Sequence, residues 1–68
     1  MSENAIANIN GVTIHTSQEL LDQLEIFADG RWPKFPSDTT RVSVQQGGLW
    51  TSMSLDQVRD LINPAFDL

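Results

Sequence analysis

The chain has 68 residues, nine acidic side chains against four basic ones for a formal net charge of −5, and no cysteine. That length holds one domain, which buries roughly 60% of the surface its unfolded chain exposes, and the lack of cysteine removes disulfides and thiolate metal sites as staples. The acidic balance argues against phosphate-backbone binding, no stretch reaches the roughly 20 apolar residues of a membrane span, and the N-terminus lacks the basic and apolar regions of a signal peptide, so a soluble, cytoplasmic protein is expected.

Residues 1–4 are polar and read as a flexible N-terminus before one domain over residues 5–63, with a C-terminal tail at 64–68. Ala5–Ile9 and Val12–His15 flank Asn10-Gly11, a pair suited to the two positive-φ positions of a type I′ turn, which predicts a hairpin. With Ile9 opposite Val12, strand alternation puts Ala5, Ala7, Ile9, Val12 and Ile14 on one face. Ile6, Asn8, Thr13 and His15 share the other, which is too polar for a core.

A helix is predicted over Gln18–Asp29, opened by a capping box in which Thr16 accepts from the Glu19 amide and the Glu19 carboxylate reaches back. Leu20, Leu21, Leu24, Phe27 and Ala28 recur at helical spacing, with Glu19, Asp22, Glu25 and Asp29 on the opposite side. Ile26 falls among these acids, where an apolar residue is out of place. Gly30 and Pro33 stop the helix. The segment Gly30–Thr40 reads as an extended loop because Pro33 and Pro36 remove amide donors and hold φ. The two prolines have the spacing of a polyproline ligand, but the segment reads mainly as a structural loop. Its Trp32 and Phe35 either cap the core or meet a partner.

Arg41–Gln45 and Leu49–Met53 form the second predicted hairpin, around Gly47-Gly48. Setting Val44 opposite Leu49 places Val42, Val44, Leu49, Thr51 and Met53 on one face and Trp50 on the other with Arg41, Ser43 and Gln45. A bulge at the glycines would reverse that assignment. Ser54-Leu55-Asp56-Gln57 caps a second helix over Leu55–Asn63 whose stripe is Leu55, Val58, Leu61 and Ile62, ended by Pro64. Phe66 and Leu68 in the tail are free to fold back or dock elsewhere. The halves share a glycine turn, a hydroxyl cap and an apolar stripe rather than residue identities. The fold expected is α+β, a small single domain of antiparallel β-hairpins packed against two α-helices in the order ββαββα, or βαββα if the first hairpin supplies one strand.

Catalytic chemistry finds little footing. His15 is the sole histidine and lies beside Thr16 and Ser17, but those hydroxyls serve the helix cap and no orienting group or oxyanion site accompanies them. Cysteine and tyrosine are absent, and neither a calcium-loop ladder nor a phosphate-cradling glycine loop is present, so no enzyme, cofactor or metal site is expected. The expected function is a small acidic protein-interaction module, a regulator or inhibitor that binds a larger protein with a basic surface; a phage or mobile element is a natural source for such a stand-alone chain. The candidate partner-binding residues are Glu19, Asp22, Glu25, Ile26, Asp29, Trp32, Phe35 and Trp50, with the acids steering association and the apolar side chains supplying affinity. One alternative is a self-associating assembly subunit, such as a homodimer built through Ile26, Trp50 or the tail. Another is a nucleic-acid binder using Arg31, Lys34, Arg41 and the aromatics, which requires those bases to converge.

Overall fold

A computed structural model describes residues 3–64. Its elements run β1 (Asn4–Ile9), β2 (Val12–Ser17), α1 (Gln18–Ala28), β3 (Arg41–Gln46), β4 (Leu49–Ser54) and α2 (Leu55–Ile62). The four strands make one sheet in the order β1-β2-β3-β4, antiparallel throughout, so the α+β reading with order ββαββα holds. The expected tail at 65–68, with Phe66 and Leu68, lies outside the described residues.

Each hairpin closes on a two-residue turn with positive φ at both positions, Asn10 (51°) and Gly11 (85°) in the first, Gly47 (58°) and Gly48 (84°) in the second. That signature marks type I′, whose twist matches that of the flanking strands. The first hairpin has the expected register, with Ile9 opposite Val12. The second does not: Gln46 faces Leu49 and Val44 faces Thr51. The glycines tighten the turn and move the register by two residues. An even slip leaves every side chain on its face, so Trp50 moves from Ser43 to Gln45 but stays on the outer surface.

The caps also correct the sequence reading. Thr16 is not the N-cap of α1, because the helix begins at Gln18 and Thr16 lies one residue too early. Ser17 takes the role, its Oγ accepting from the Leu20 amide at 3.3 Å. The Thr16–Glu19 capping box therefore does not form. Ser54 caps α2 with the full box, exchanging bonds with Gln57. The two halves now superpose in sequence at one offset, Asn10-Gly11 onto Gly47-Gly48 and cap Ser17 onto cap Ser54.

α1 packs over β1 and β2, and α2 over β3 and β4, leaving the other side of the sheet bare among the described residues. The core between the layers joins Ile9, Ile14, Val42 and Val44 of the sheet to Leu20, Leu21, Leu24 and Phe27 of α1 and to Leu55, Val58 and Ile62 of α2. Asn10 Nδ2 donates to the Ile62 carbonyl at 3.0 Å, tying the first turn to the end of α2 and satisfying one of its orphan acceptors. Leu49, on the core-facing side of β4 beside the second turn, is 74% exposed.

The α2 stripe differs from expectation at one turn. Arg59, not Leu61, joins Leu55, Val58 and Ile62 in the buried set. Spacing of three and four residues from Leu55 puts position 59 on that face whatever its side chain, while Leu61 falls to its edge.

Candidate interaction surfaces

The outer face of α1 brings together five of the predicted residues. Leu20, Leu21, Leu24 and Phe27 set the buried side of the helix. Glu19, Asp22, Glu25, Ile26 and Asp29 are consequently turned to solvent, all exposed. Ile26 sits near the crest of this face, with Asp22 one turn before it and Asp29 one turn after. Its exposure of 42% shows that it does not pack under the Trp-Pro loop.

The charges on this face have no cation to answer them. Among the described residues, the salt bridges are those of Arg59 to Asp38 and Asp56. Asp22 accepts a hydrogen bond from Gln18 Nε2 at 2.9 Å, a neutral partner that leaves its charge uncompensated. Glu19 and Asp22 are three residues apart, as are Asp22 and Glu25, and Glu25 and Asp29 are four apart. Each such like-charged pair destabilises a helix by about 0.2–0.5 kcal/mol. The end of α1 adds to this: no basic residue lies in its last turn, and Asp29 is its C-cap. The macrodipole makes that end negative, so an acid there is repelled.

Trp32 and Phe35 lie away from that face, in the loop after α1, where Phe35 packs on the core and Trp32 is 53% exposed. Both meet Phe27 edge-on, with ring centroids 5.2 and 5.7 Å away, so the loop caps the end of the core. They also hold Arg59, whose guanidinium carbon is 5.1 Å from each ring centroid. Arg59 is 5% exposed and donates from Nη2 to Asp38 at 2.8 Å and to Asp56 at 3.4 Å. Its Nε and Nη1 are buried without a hydrogen-bond partner. The electron-rich ring faces are what compensates them, and a desolvated cation–π contact contributes about 2 kcal/mol. Arg59 is thus the latch between α2 and the loop. The apolar stripe read from the sequence left Arg59 out; its spacing of four residues from Leu55 was the signal that could have found it.

Trp50 is separated from all of these. It lies on the bare side of the sheet, 48% exposed, with its ring 6.2 Å from that of His15. Ile6, opposite His15, is 61% exposed on the same surface. The acidic helix and Trp50 therefore belong to opposite sides of the molecule. The basic residues separate in the same way. Arg41 lies on the sheet surface, bonded to Ser52, whereas Arg31 and Lys34 belong to the loop on the helix side, where the Lys34 carbonyl accepts from Gln23. Arg41 is thus held on the outer face of the sheet, while Arg31 and Lys34 lie in the loop after α1.

An open cleft of about 530 Å³ runs between α1 and the loop, lined by Thr16, Ser17, Glu19, Gln23, Lys34 and Phe35 among others. His15 is not part of it, since it faces the other side of the sheet. Among the described residues, no three His, Cys, Asp or Glu side chains come together as a metal-binding group, and no helix is long and apolar enough to cross a membrane. Comparison with known proteins gives no match: no family model fits the chain, and neither a curated protein nor a solved structure is significantly similar to it.

Proposed function

We propose that this chain is a non-enzymatic protein-interaction module, a small regulator or inhibitor that binds a basic surface of a larger protein through the outer face of α1. One observation carries the reading: Glu19, Asp22, Glu25 and Asp29 surround the exposed Ile26 with no cation among the described residues to pair them. This arrangement opposes the helix's own stability through like-charge spacing and, at Asp29, through the dipole. Local rules broken without an internal gain point to a gain outside the molecule. Clustered acids would accelerate encounter with a cationic surface, and Ile26 would be the apolar contact at its centre.

The test is affinity capture from the native cell lysate with mass spectrometry, comparing the wild type with an Asp22→Lys/Glu25→Lys variant at low and high salt. A partner retained by the wild type at low salt, released by salt and missed by the variant is the expected result. A partner set indifferent to both changes refutes the reading. The self-associating alternative draws on the bare sheet surface, where Ile6 and Trp50 are exposed. Sedimentation velocity decides it, since a monomer at high concentration removes it.

A further inference from the structure

β1 is a free edge of the sheet, and its sequence does nothing to obstruct another strand. Its six residues carry no charge and no proline, and they pair with β2 in unbroken register. Natural proteins guard such edges with charged side chains, proline or bulges. The opposite edge, β4, has a guard. Arg41 reaches across from β3, donating from Nε to Ser52 Oγ at 3.1 Å and from Nη2 to the Ser52 carbonyl at 2.8 Å. In a hairpin closed by a two-residue turn, Trp50 and Ser52 direct their backbone groups away from β3, so this carbonyl is one an incoming strand would need. The same geometry directs the amides and carbonyls of Asn4, Ile6 and Asn8 away from β2, and no side chain among the described residues covers them.

α1 overhangs this edge with charge of one sign. Gln23 faces the loop and α2, because its Nε2 donates to the Lys34 carbonyl at 3.0 Å. Glu25 is two residues further on, about 200° around the helix, and so projects from the opposite flank, the β1 side. Asp22 and Asp29 stand one turn either side of it. On the helix-facing side of β1 the side chains are Ala5 and Ala7, both small and partly buried. Long side chains from an added strand could pass over these methyl groups to the acids.

The geometry points to β1 as the docking edge for an extended basic segment of a partner protein, added as a fifth strand whose Lys or Arg side chains on the helix side meet Glu25, Asp22 and Asp29. The added backbone pairs the outward groups of Asn4, Ile6 and Asn8, and its other face lies beside Ile6. A second copy is a worse occupant, because antiparallel pairing of β1 with β1 sets two acidic α1 helices side by side. This inference rests on the acidic-helix reading above and adds where, and in what conformation, the partner binds.

Amide exchange read by NMR on the full chain tests it, with the protein free and then saturated with a short synthetic peptide alternating Lys with Val. The expected result is that the amides of Asn4, Ile6 and Asn8 slow by about tenfold or more while those of Trp50 and Ser52 do not change. Glu25→Lys should weaken the peptide about fivefold, the scale of an exposed charge pair. Ile6→Lys, which installs an edge guard, should weaken it further with the circular-dichroism spectrum unchanged. If the peptide shifts α1 resonances and leaves the three β1 amides exchanging as before, the edge assignment is overturned and the acidic-helix reading stands. If no peptide binding is detected at low salt, both fall. If the β1 amides are already slow in the free protein and quicken on dilution, the edge belongs to a second copy and the inference is overturned.

Discussion

Replacing Asp29 by lysine should make this protein more stable, against the general expectation that substitutions destabilise. Asp29 is the C-cap of α1 and is exposed, with Glu25 one turn earlier. Asp29→Lys turns a repulsive pair into a Glu-to-Lys pair in the favoured direction, a swing of about 0.5–1 kcal/mol. It also puts a cation at the negative end of the macrodipole in place of an anion, and each of those two changes is worth about 0.3–1 kcal/mol. Both effects act at an exposed site and are screened, so a net gain of about 1 kcal/mol is the reasonable figure. For a domain of this size that is a rise in Tm of about 4–8 °C. Thermal unfolding followed by circular dichroism at low salt measures it. Repetition near 1 M salt, where the Debye length is about 3 Å, should erase most of the gain. A variant no more stable than the wild type at low salt, or one whose gain survives high salt, would show that the acidic face is not electrostatically strained. An external cationic partner would then have no strain in α1 to relieve.

Arg59→Ala removes the ion pair to Asp38 and both ring contacts, and should cost about 2–4 kcal/mol in urea unfolding; a loss below about 1 kcal/mol would refute the latch. Asp38→Asn should cost less than Arg59→Ala in the same assay, because the Asp38 side chain is 67% exposed and keeps its hydration. Ser17→Ala and Ser54→Ala should each lower stability by about 1 kcal/mol, as equivalent caps, whereas Thr16→Ala should leave the cap of α1 intact. Gly48→Ala meets no atom within 4 Å, so any cost is strain at its φ of 84°, about 1 kcal/mol by equilibrium denaturation.

How far the site was legible depends on whether the deciding interaction is local. The acids and Ile26 could be placed on one face because helical periodicity acts within a few residues. The Asn10-Gly11 register was likewise readable, since that pair demands one turn type. The Gly47-Gly48 register was less so, because two glycines tolerate several turns, and the even slip spared the face assignments. Trp32, Phe35 and Trp50 could be recognised as large anchors but not grouped. Whether an aromatic ring meets Arg59 across the core or His15 on the bare surface depends on contacts between residues far apart in the chain.

By itself the sequence determined the elements, the turn of the first hairpin and most of the faces each element presents: two ββα units, two apolar stripes and an acidic helix. Backbone sterics and side-chain periodicity suffice for those, as they involve near neighbours alone. The tertiary structure decided what each face meets. The sheet order left β1 as an unguarded edge beneath α1, while Arg41 closes the β4 edge. Leu49, at the second turn, was left exposed, Asn10 was tied to the end of α2, and docking of the loop enclosed Arg59 between two rings. Each follows from how separate elements share one small core, a global packing condition that no short window of sequence expresses.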